Sequence, residues 1–238
     1  MERMRIDLHC HSEASHDCVT PLKDIPARCL ERGIGVQAIT DHNKLWGAQE
    51  LKARVADSDY SDDLTVIVGE EISTTEGEII GLFLDEVIPK GLTPEETVSE
   101  IRAQGGLVLL PHGFDPRKTY RLKPRAVERI AGDIDIVETF NARVSDIKWN
   151  EAARVWASER GVVLSAGSDA HTLRDIGDAW TQTPERAIVT PADLLAALRD
   201  PAAEVAGDWT HPVAAFVYKA WTFLRAGRKG LGSSPPPT

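Results

Sequence analysis

The chain has 238 residues, of which 42% are hydrophobic, and it carries a formal net charge of −10. This length and apolar fraction suit one globular domain, so disorder is not the expected state of the chain. The negative charge argues against an extended surface for duplex DNA, although a small nucleotide or a short single strand stays open as a partner. No stretch approaches the roughly 20 apolar residues that span a bilayer.

The location of the protein is expected to be the cytoplasm. The first residues carry no apolar secretion signal. The three cysteines are an odd number clustered near the N-terminus, at Cys10, Cys18 and Cys29. They imply no disulfide framework, and a reducing compartment is the simpler interpretation.

Strand and helix patterns alternate along the chain, which is typical of an α/β barrel. Seven apolar runs are expected strands: 6–8, 36–40, 64–68, 79–84, 107–110, 134–140 and 162–165. The helix patterns cover 21–32, 48–56, 94–104, 124–131, 150–160 and 191–199. Between Glu71 and Glu78 there is room for a turn only, so we expect these two strands to be antiparallel and both glutamates to lie at one end of the barrel.

The C-terminal part of the chain has a different composition. We expect the barrel domain to occupy residues 1–200, and residues 201–238 to form an aromatic helical extension with a disordered tail. The aromatic side chains of this extension have three interpretations, which are packing on the barrel, a homodimer contact and binding to a membrane surface.

Candidate chemical groups fall where the predicted strands end. Five of the seven histidines occupy such positions, in the segments DLHCHS, TDHN, LPHG and GSDAH, and GEEIST adds two glutamates. In a parallel barrel the carboxyl ends of the strands build one site. His9 and His11 are two residues apart, so on a strand both imidazoles face the same side and can reach one metal ion. Taken alone, this pair is also compatible with two polar side chains at a barrel mouth.

The ordered set of DLHCHS, TDHN, GEEIST, LPHG and GSDAH resembles the PHP superfamily, named for polymerase and histidinol phosphatase. The resemblance covers residues 5 to about 178. It implies a distorted seven-stranded (β/α) barrel that holds two or three divalent ions and hydrolyses phosphate esters. By this resemblance the first ion takes His9, His11, Glu71 and Asp169, the second takes Glu71 and His112, and the third takes Asp17, His42 and His171.

Two ligand positions keep alternatives. The family's ligand in the first loop corresponds to Asp17, but His16 stands beside it. Many relatives carry a histidine at the start of the fourth strand, where this chain has Glu78. Glu78 is either a ligand of the second ion, which would favour manganese or magnesium over zinc, or an acid that does not ligate. Zinc, manganese and iron are all candidates for the native metal.

The expected reaction uses water activated by the metal ions, so it needs no Ser or Cys nucleophile. His171 or Asp169 could assist proton transfer, although both are expected ligands. Arg143 is the first choice for a phosphate clamp, because it lies just beyond a strand end and Arg binds phosphate bidentately. Three other cations follow ligand-bearing segments, namely Arg117, Lys118 and Arg174.

Three functions remain open at this point. The first is hydrolysis of a phosphomonoester, or of a diester in a small nucleotide or oligonucleotide. The second is metal-dependent hydrolysis of an amide or a lactone, which uses a similar activated water. The third is a non-catalytic domain that is stabilised by metal and serves as a binding module, and an essentially intact ligand set disfavours it.

Overall fold

The computed structural model describes residues 3–209, together with 220 and 224. Within them, nine strands form one sheet: β1 (Arg3–Asp7), β2 (Ile34–His42), β3 (Thr65–Thr74), β4 (Gly77–Leu82), β5 (Leu107–Leu110), β6 (Ile136–Asn141), β7 (Val163–Gly167), β8 (Ala179–Pro184) and β9 (Glu204–Gly207). Six α-helices connect or flank them: α1 (Ile25–Glu31), α2 (Trp46–Ala56), α3 (Pro94–Ala103), α4 (Pro124–Arg129), α5 (Lys148–Arg160) and α6 (Pro191–Leu198).

The sheet curls into a nearly closed barrel. Its strand order is β7-β6-β5-β4-β3-β2-β1-β8-β9. Beyond the segment of β1 that pairs with β8, the chain turns to the other edge of the sheet. Leu8 N donates to Ala166 O at 3.3 Å and Asp169 N donates to His9 O at 2.8 Å. These bonds bring the first and seventh strand ends together, so residues far apart in sequence meet at one rim.

The β3–β4 pair is antiparallel, as the short connection requires. The register places Ser73 opposite Glu78 and Glu71 opposite Ile80. Both glutamates therefore lie near the same rim as the ends of the parallel strands. Because β4 runs antiparallel to β3, it starts at this rim and can place Glu78 there.

Local sequence explains where several helices begin and end. Thr93 and Thr190 each form a capping box, with Glu96 and Asp193 respectively, and a proline follows each cap. Both devices satisfy amide groups that the first helical turn leaves unpaired. α5 ends at Gly161, whose φ of 65° is in the left-handed region.

All seven expected strands are present, but the expected number of strands is wrong because β8 and β9 complete the sheet. β8 has no apolar run, since the residues that it buries are Ala179, Thr181 and Thr183. The sequence signal that β8 offers is a pair of β-branched threonines at alternate positions, which the structure shows to be buried. β9 has four residues, only one of them β-branched, and offered no sequence signal.

The predicted C-terminal extension lies largely outside the described residues, and the division of the chain at residue 200 stays a prediction. Within the described part, β9 pairs with β8 as part of the barrel sheet, and Trp209 donates its indole N–H to Val144 O at 2.9 Å. No helix in the part of the chain that the structure describes is long and apolar enough to cross a bilayer. Cys10, Cys18 and Cys29 are buried free thiols.

Candidate metal centre

The predicted ligands converge at the rim where the parallel strands end. Their donor atoms form four overlapping groups, and within each group the atoms lie within 4.8 Å of one another. The groups are His9 with His11 and Glu71; His9 with His112 and Asp169; His11 with His42 and His171; and His42 with Glu71 and Glu78. Neighbouring groups share members, so together they form one continuous cluster of donors.

His9 and His11 direct the same ring nitrogen to the same point. Their Nε2 atoms are 3.2 Å apart. The opposite nitrogens are engaged elsewhere, because His9 Nδ1 lies 3.1 Å from Glu138 Oε1 and His11 Nδ1 lies 3.2 Å from Ser15 Oγ. A partner at Nδ1 sets the tautomer that leaves the Nε2 lone pair free for a metal ion.

Glu71 lies at the centre of the cluster. Its carboxylate oxygens are 3.5 Å from His9 Nε2, 3.4 Å from His11 Nε2, 3.1 Å from His42 Nδ1 and 3.1 Å from His112 Nε2. Burial alone would raise the pKa of Glu71, but His9, His42 and a hydrogen bond from His112 outweigh it and hold the pKa well below its usual range. The ionised carboxylate is thus the form that the surroundings favour, and its position suits a bridging ligand.

His112 and Asp169 are held in strained backbone conformations. Their φ angles are 28° and 52°, in the left-handed region that residues with a side chain rarely adopt. Asp169 Oδ1 lies 3.8 Å from His9 Nε2 and 3.6 Å from His11 Nε2. Strain of this kind persists where the surroundings fix the geometry, and it concentrates at functional sites.

The third predicted group also assembles. Asp17 Oδ2 lies 2.9 Å from His171 Nε2, and Asp17 Oδ1 lies 3.6 Å from His42 Nε2. His16 is exposed, with its ring centre 5.5 Å from that of His42. The geometry therefore favours Asp17 over His16. His11 also lies against His42 and His171, an arrangement that the expected ligand grouping did not include.

Glu78 is buried at the edge of the cluster. Its carboxylate lies 3.6 Å from His42 Nδ1 and 3.9 Å from His112 Nε2. Burial, reinforced by the charges of Glu71 and Asp169, raises its pKa to about 9. A divalent cation in the cluster would offset this repulsion between carboxylates. Glu70, by contrast, faces the other side of the sheet, where it is buried and accepts a hydrogen bond from Ile88 N at 2.9 Å.

Two cations reach the cluster. Arg143 Nη1 donates to Asp169 O at 2.9 Å and contacts His171 Nδ1. Lys118 Nζ contacts the Asp169 carboxylate. The side chains of Arg143 and Lys118 are 18% and 24% exposed, so both border the donors and solvent. Arg117 and Arg174, the other two cations considered from the sequence, are exposed.

Other buried acids hold the loops that carry the donors. Asp41 accepts hydrogen bonds from Ser12 N at 2.7 Å, Ser12 Oγ at 2.6 Å and Ser15 Oγ at 2.8 Å. Asp7 accepts from Ser168 N at 3.0 Å. Burial, opposed by the bonds from Ser168, raises the pKa of Asp7 to about 6. Both acids thus support the loops that carry the donors.

Sequence reasoning missed Glu138. This buried residue bonds His9 through Oε1, while Oε2 accepts from His112 N at 2.7 Å and from Asn141 Nδ2 at 3.0 Å. Asn141 Nδ2 also lies 3.3 Å from Asp169 Oδ2. The available signal was a glutamate inside the apolar strand IVETFN, because a charged residue in a buried strand needs partners.

The donors suit divalent metal ions. Imidazole and carboxylate are the ligands that zinc, iron and manganese accept, and no cysteine thiol lies in the four donor groups. His112 Nδ1 is buried and has no hydrogen-bond partner among the described residues. The His112 nitrogen that faces the other donors is Nε2, 3.1 Å from Glu71 Oε1, so an ion in the cluster would bind Nε2.

The sequence matches the PHP domain family over residues 7–128 and the PHP-associated family over residues 148–202. Two uncharacterized proteins of Methanocaldococcus jannaschii are similar to it. One is 36% identical, over 80% of this chain and 75% of the relative. The other is 42% identical, over 58% of this chain and 82% of the relative. A 5'-3' exoribonuclease of Haemophilus influenzae is 38% identical over 36% of this chain and 31% of its own length.

Solved structures share the fold at low identity. A two-domain protein of Bacteroides vulgatus, described as containing a predicted PHP-like metal-dependent phosphoesterase, has a TM-score of 0.69 at 15% identity, over 92% of this chain and 70% of that one. A lesion-specific endonuclease of Pyrococcus furiosus has a TM-score of 0.63 at 16% identity, over 86% of this chain and 58% of that one. The PHP match spans half of this sequence, and it includes the segments that supply His9, His11, His42, Glu71 and His112. The chain therefore belongs to the PHP domain family.

Proposed function

We propose that this protein is a metal-dependent phosphoesterase that hydrolyses phosphate esters with water as the nucleophile. The observation that carries the proposal is the cluster of overlapping His, Asp and Glu groups around Glu71, bordered by Arg143 and Lys118. Donors for more than one cation, next to side chains that attract anions, suit a substrate whose oxygens are negatively charged.

Three ions would distribute over the donors as the family resemblance implies. His9, His11, Glu71 and Asp169 would hold the first; Glu71 and His112 the second; and Asp17, His42 and His171 the third. We propose that Glu78, which the resemblance does not assign, adds a ligand to the second. The distances of Glu71 to histidines of all three groups support its role as a bridging ligand. The donor groups share His9, His11, His42 and Glu71, which is compatible with two ions as well as three.

The protein's own groups complete the site. Bound divalent ions would lower the pKa of water and neutralise phosphoryl oxygens. Arg143 would donate N–H groups to the phosphoryl oxygens and keep the ester in line for attack. Lys118, which contacts Asp169, would add positive charge on the same side. His171 or Asp169, which are also proposed ligands, would assist proton transfer at the reacting ester.

The substrate that we propose is a phosphomonoester, or a diester in a small nucleotide or short single-stranded nucleic acid. The similarity to an exoribonuclease supports the nucleic-acid branch of this proposal. This similarity covers only about a third of either chain, so a phosphomonoester stays among the proposed substrates.

Metal content together with turnover on a substrate panel tests the proposal. Protein purified without chelator should contain two or three equivalents of transition metal per chain, and it should hydrolyse a phosphomonoester, a phosphodiester or both. The panel includes a lactone and an amide. Less than one equivalent of metal, or turnover of the lactone or amide with no phosphate ester cleaved, would overturn the proposal.

A further inference from the structure

One loop at the rim concentrates positive charge on a protein whose net charge is −10. This basic loop, defined as residues 113–125, follows the strand end that supplies His112 and includes the first two residues of α4. It contains five cations, which are Arg117, Lys118, Arg121, Lys123 and Arg125. Its single acid, Asp115, is buried and is occupied by Arg117 N, Ser145 N and Ser145 Oγ.

Four of these cations have no ion pair within the described residues, whereas most other arginines do. Lys118 alone contacts a carboxylate, that of Asp169. Arginines elsewhere pair with acids: Arg3, Arg28, Arg32, Arg54, Arg102, Arg129, Arg154, Arg160 and Arg186. Unpaired cations that cluster on an acidic protein lower its stability through repulsion, so they indicate an anionic partner.

Two acids near the basic loop, Asp146 and Glu76, are engaged by cations outside it. The Asp146 carboxylate is bonded to Lys148 at 2.8 Å, which lowers its pKa, and the charge of Arg117 adds to this effect. The Glu76 carboxylate is bonded to Arg129 at 2.5 Å, which lowers its pKa, and the charge of Lys123 adds to this effect. Arg117, Lys123 and Arg125 are exposed, whereas Arg121 is half-buried and donates to Gly113 O at 3.4 Å.

The basic loop is fixed against the metal centre by its backbone. Tyr120 O accepts a hydrogen bond from Glu78 N at 2.8 Å, and Lys123 N donates to Glu76 O at 2.9 Å. Gly77 lies so close that a Cβ there would overlap Arg121 and Leu122. The cations of the loop thus run from Lys118, beside Asp169, over the β3–β4 turn and away from the donors.

Tyr120 adds an aromatic surface among these cations. Its side chain is 67% exposed, although tyrosine usually buries part of its ring. A cationic strip with an exposed aromatic ring is the arrangement that binds single-stranded nucleic acid, since the cations follow the phosphates and a base stacks on the ring. A mononucleotide whose phosphate occupies the metal centre would leave most of this strip uncovered.

From this geometry we infer that the basic loop is a binding subsite for a single-stranded oligonucleotide, and that it holds the nucleotides beyond the phosphate at the metal centre. The inference rests on the proposed function, because it describes the path that the rest of the strand takes from the phosphate bound at the metal centre. It predicts that a longer strand is a better substrate than a dinucleotide and that the difference is sensitive to salt.

The test compares kcat/KM of the metal-loaded protein for a 5'-phosphorylated oligouridylate dodecamer and for the dinucleotide. The dodecamer should be preferred by about tenfold or more at low salt, since stacking of one base alone contributes this much. Tyr120→Ala should remove most of that preference, because it deletes the ring on which the base stacks. Arg117→Gln with Lys123→Gln should reduce the slope of log kcat/KM against log salt by roughly 0.7 for each phosphate that the variant no longer neutralises.

The matched control removes two positive charges at the opposite end of the barrel. Arg3→Gln with Lys52→Gln serves this purpose, because Arg3 opens β1 and Lys52 lies beside Thr65, the first residue of β3. This variant should keep the preference for the dodecamer. Equal effects of the two double variants would overturn the subsite, as would displacement of the dodecamer by poly-glutamate as readily as by poly-uridylate. Cleavage of both RNAs with no preference for length would refute the inference but leave the phosphoesterase standing, whereas failure to cleave any phosphate ester would refute the proposed function itself.

Discussion

Glu138 and His9 form a buried pair that orients a candidate metal ligand: the carboxylate lies 3.1 Å from His9 Nδ1, on the side of the ring opposite the donor cluster. The same carboxylate also binds the backbone of His112 and the Asn141 amide that reaches Asp169. One side chain therefore positions all three members of the group His9, His112 and Asp169. Carboxylates that orient ligating histidines in this way raise metal affinity.

Glu138→Gln should lower metal affinity about ten- to a hundredfold. The amide has one acceptor oxygen, whereas the native carboxylate accepts hydrogen bonds at both oxygens. If its NH₂ group faces His9, it favours the tautomer that has a proton on Nε2; if it faces the other way, it opposes the His112 amide N–H. Titration against a competing chelator measures the affinity. Glu128→Gln, a surface glutamate paired with Arg160, is the matched control and should bind metal like the native protein.

Gly167→Ala should displace the Glu138 carboxylate from its contact with His9. A Cβ at this position would overlap the Glu138 carboxylate and approach His9 Cβ to 2.5 Å. Overpacking of this kind costs about 1–3 kcal/mol of stability, and here we expect metal loss as well. Gly132→Ala is the control, because nothing lies within 4 Å of a Cβ there. Denaturant unfolding with and without metal distinguishes the two variants, and equal behaviour would contradict the packing argument.

Glu71→Gln should be more damaging than Glu78→Gln. Glu71 contacts histidines of every proposed ion site, whereas Glu78 contacts only His42 and His112. Loss of Glu71 should therefore remove more than one metal equivalent and abolish turnover, and loss of Glu78 should weaken one equivalent. Elemental analysis of both variants measures this. A metal-rich, active Glu71→Gln protein beside an inactive Glu78→Gln protein would show that the bridging ligand was assigned wrongly.

Removal of metal should destabilise the whole barrel. Glu71, Glu78 and Asp169 are buried close together, and their mutual repulsion needs compensating positive charge. An ion at about 100 times its Kd stabilises the folded state by about 2.7 kcal/mol, which raises Tm by roughly 5–10 °C for a domain of this size. Calorimetry of chelator-treated protein before and after addition of Mn²⁺ checks this. An unchanged Tm would mean that the donors do not hold the ion in the folded state.

The sequence predicted which side chains meet at the rim, because each of them belongs to a short segment at a strand end. The alternation of His9 and His11, and the turn between Glu71 and Glu78, follow from local geometry and survive in the structure. Glu138 could not be predicted, because its role depends on contacts with His9 and His112, which lie 129 and 26 positions earlier in the chain. β8 escaped because its buried face is made of Ala and Thr, whose fit depends on the neighbouring strands.

Arg143 should act as the phosphate clamp, because its guanidinium lies at the donor cluster and not on the outer wall of the barrel. If it holds a phosphoryl oxygen, Arg143→Ala should lower kcat/KM about ten- to a hundredfold, since a charge-assisted contact contributes about 1.5–3 kcal/mol. Metal content should stay unchanged, because Arg143 is a hydrogen-bond donor and not a ligand. Arg143→Lys should restore only part of the activity, since an ammonium group lacks the planar fork. Arg154→Ala is the control, because that arginine pairs with Glu151 on the surface of α5. Full activity of Arg143→Ala with its metal retained would transfer the clamp to Lys118, whereas loss of metal in this variant would show that Arg143 acts by holding Asp169 and His171 in place.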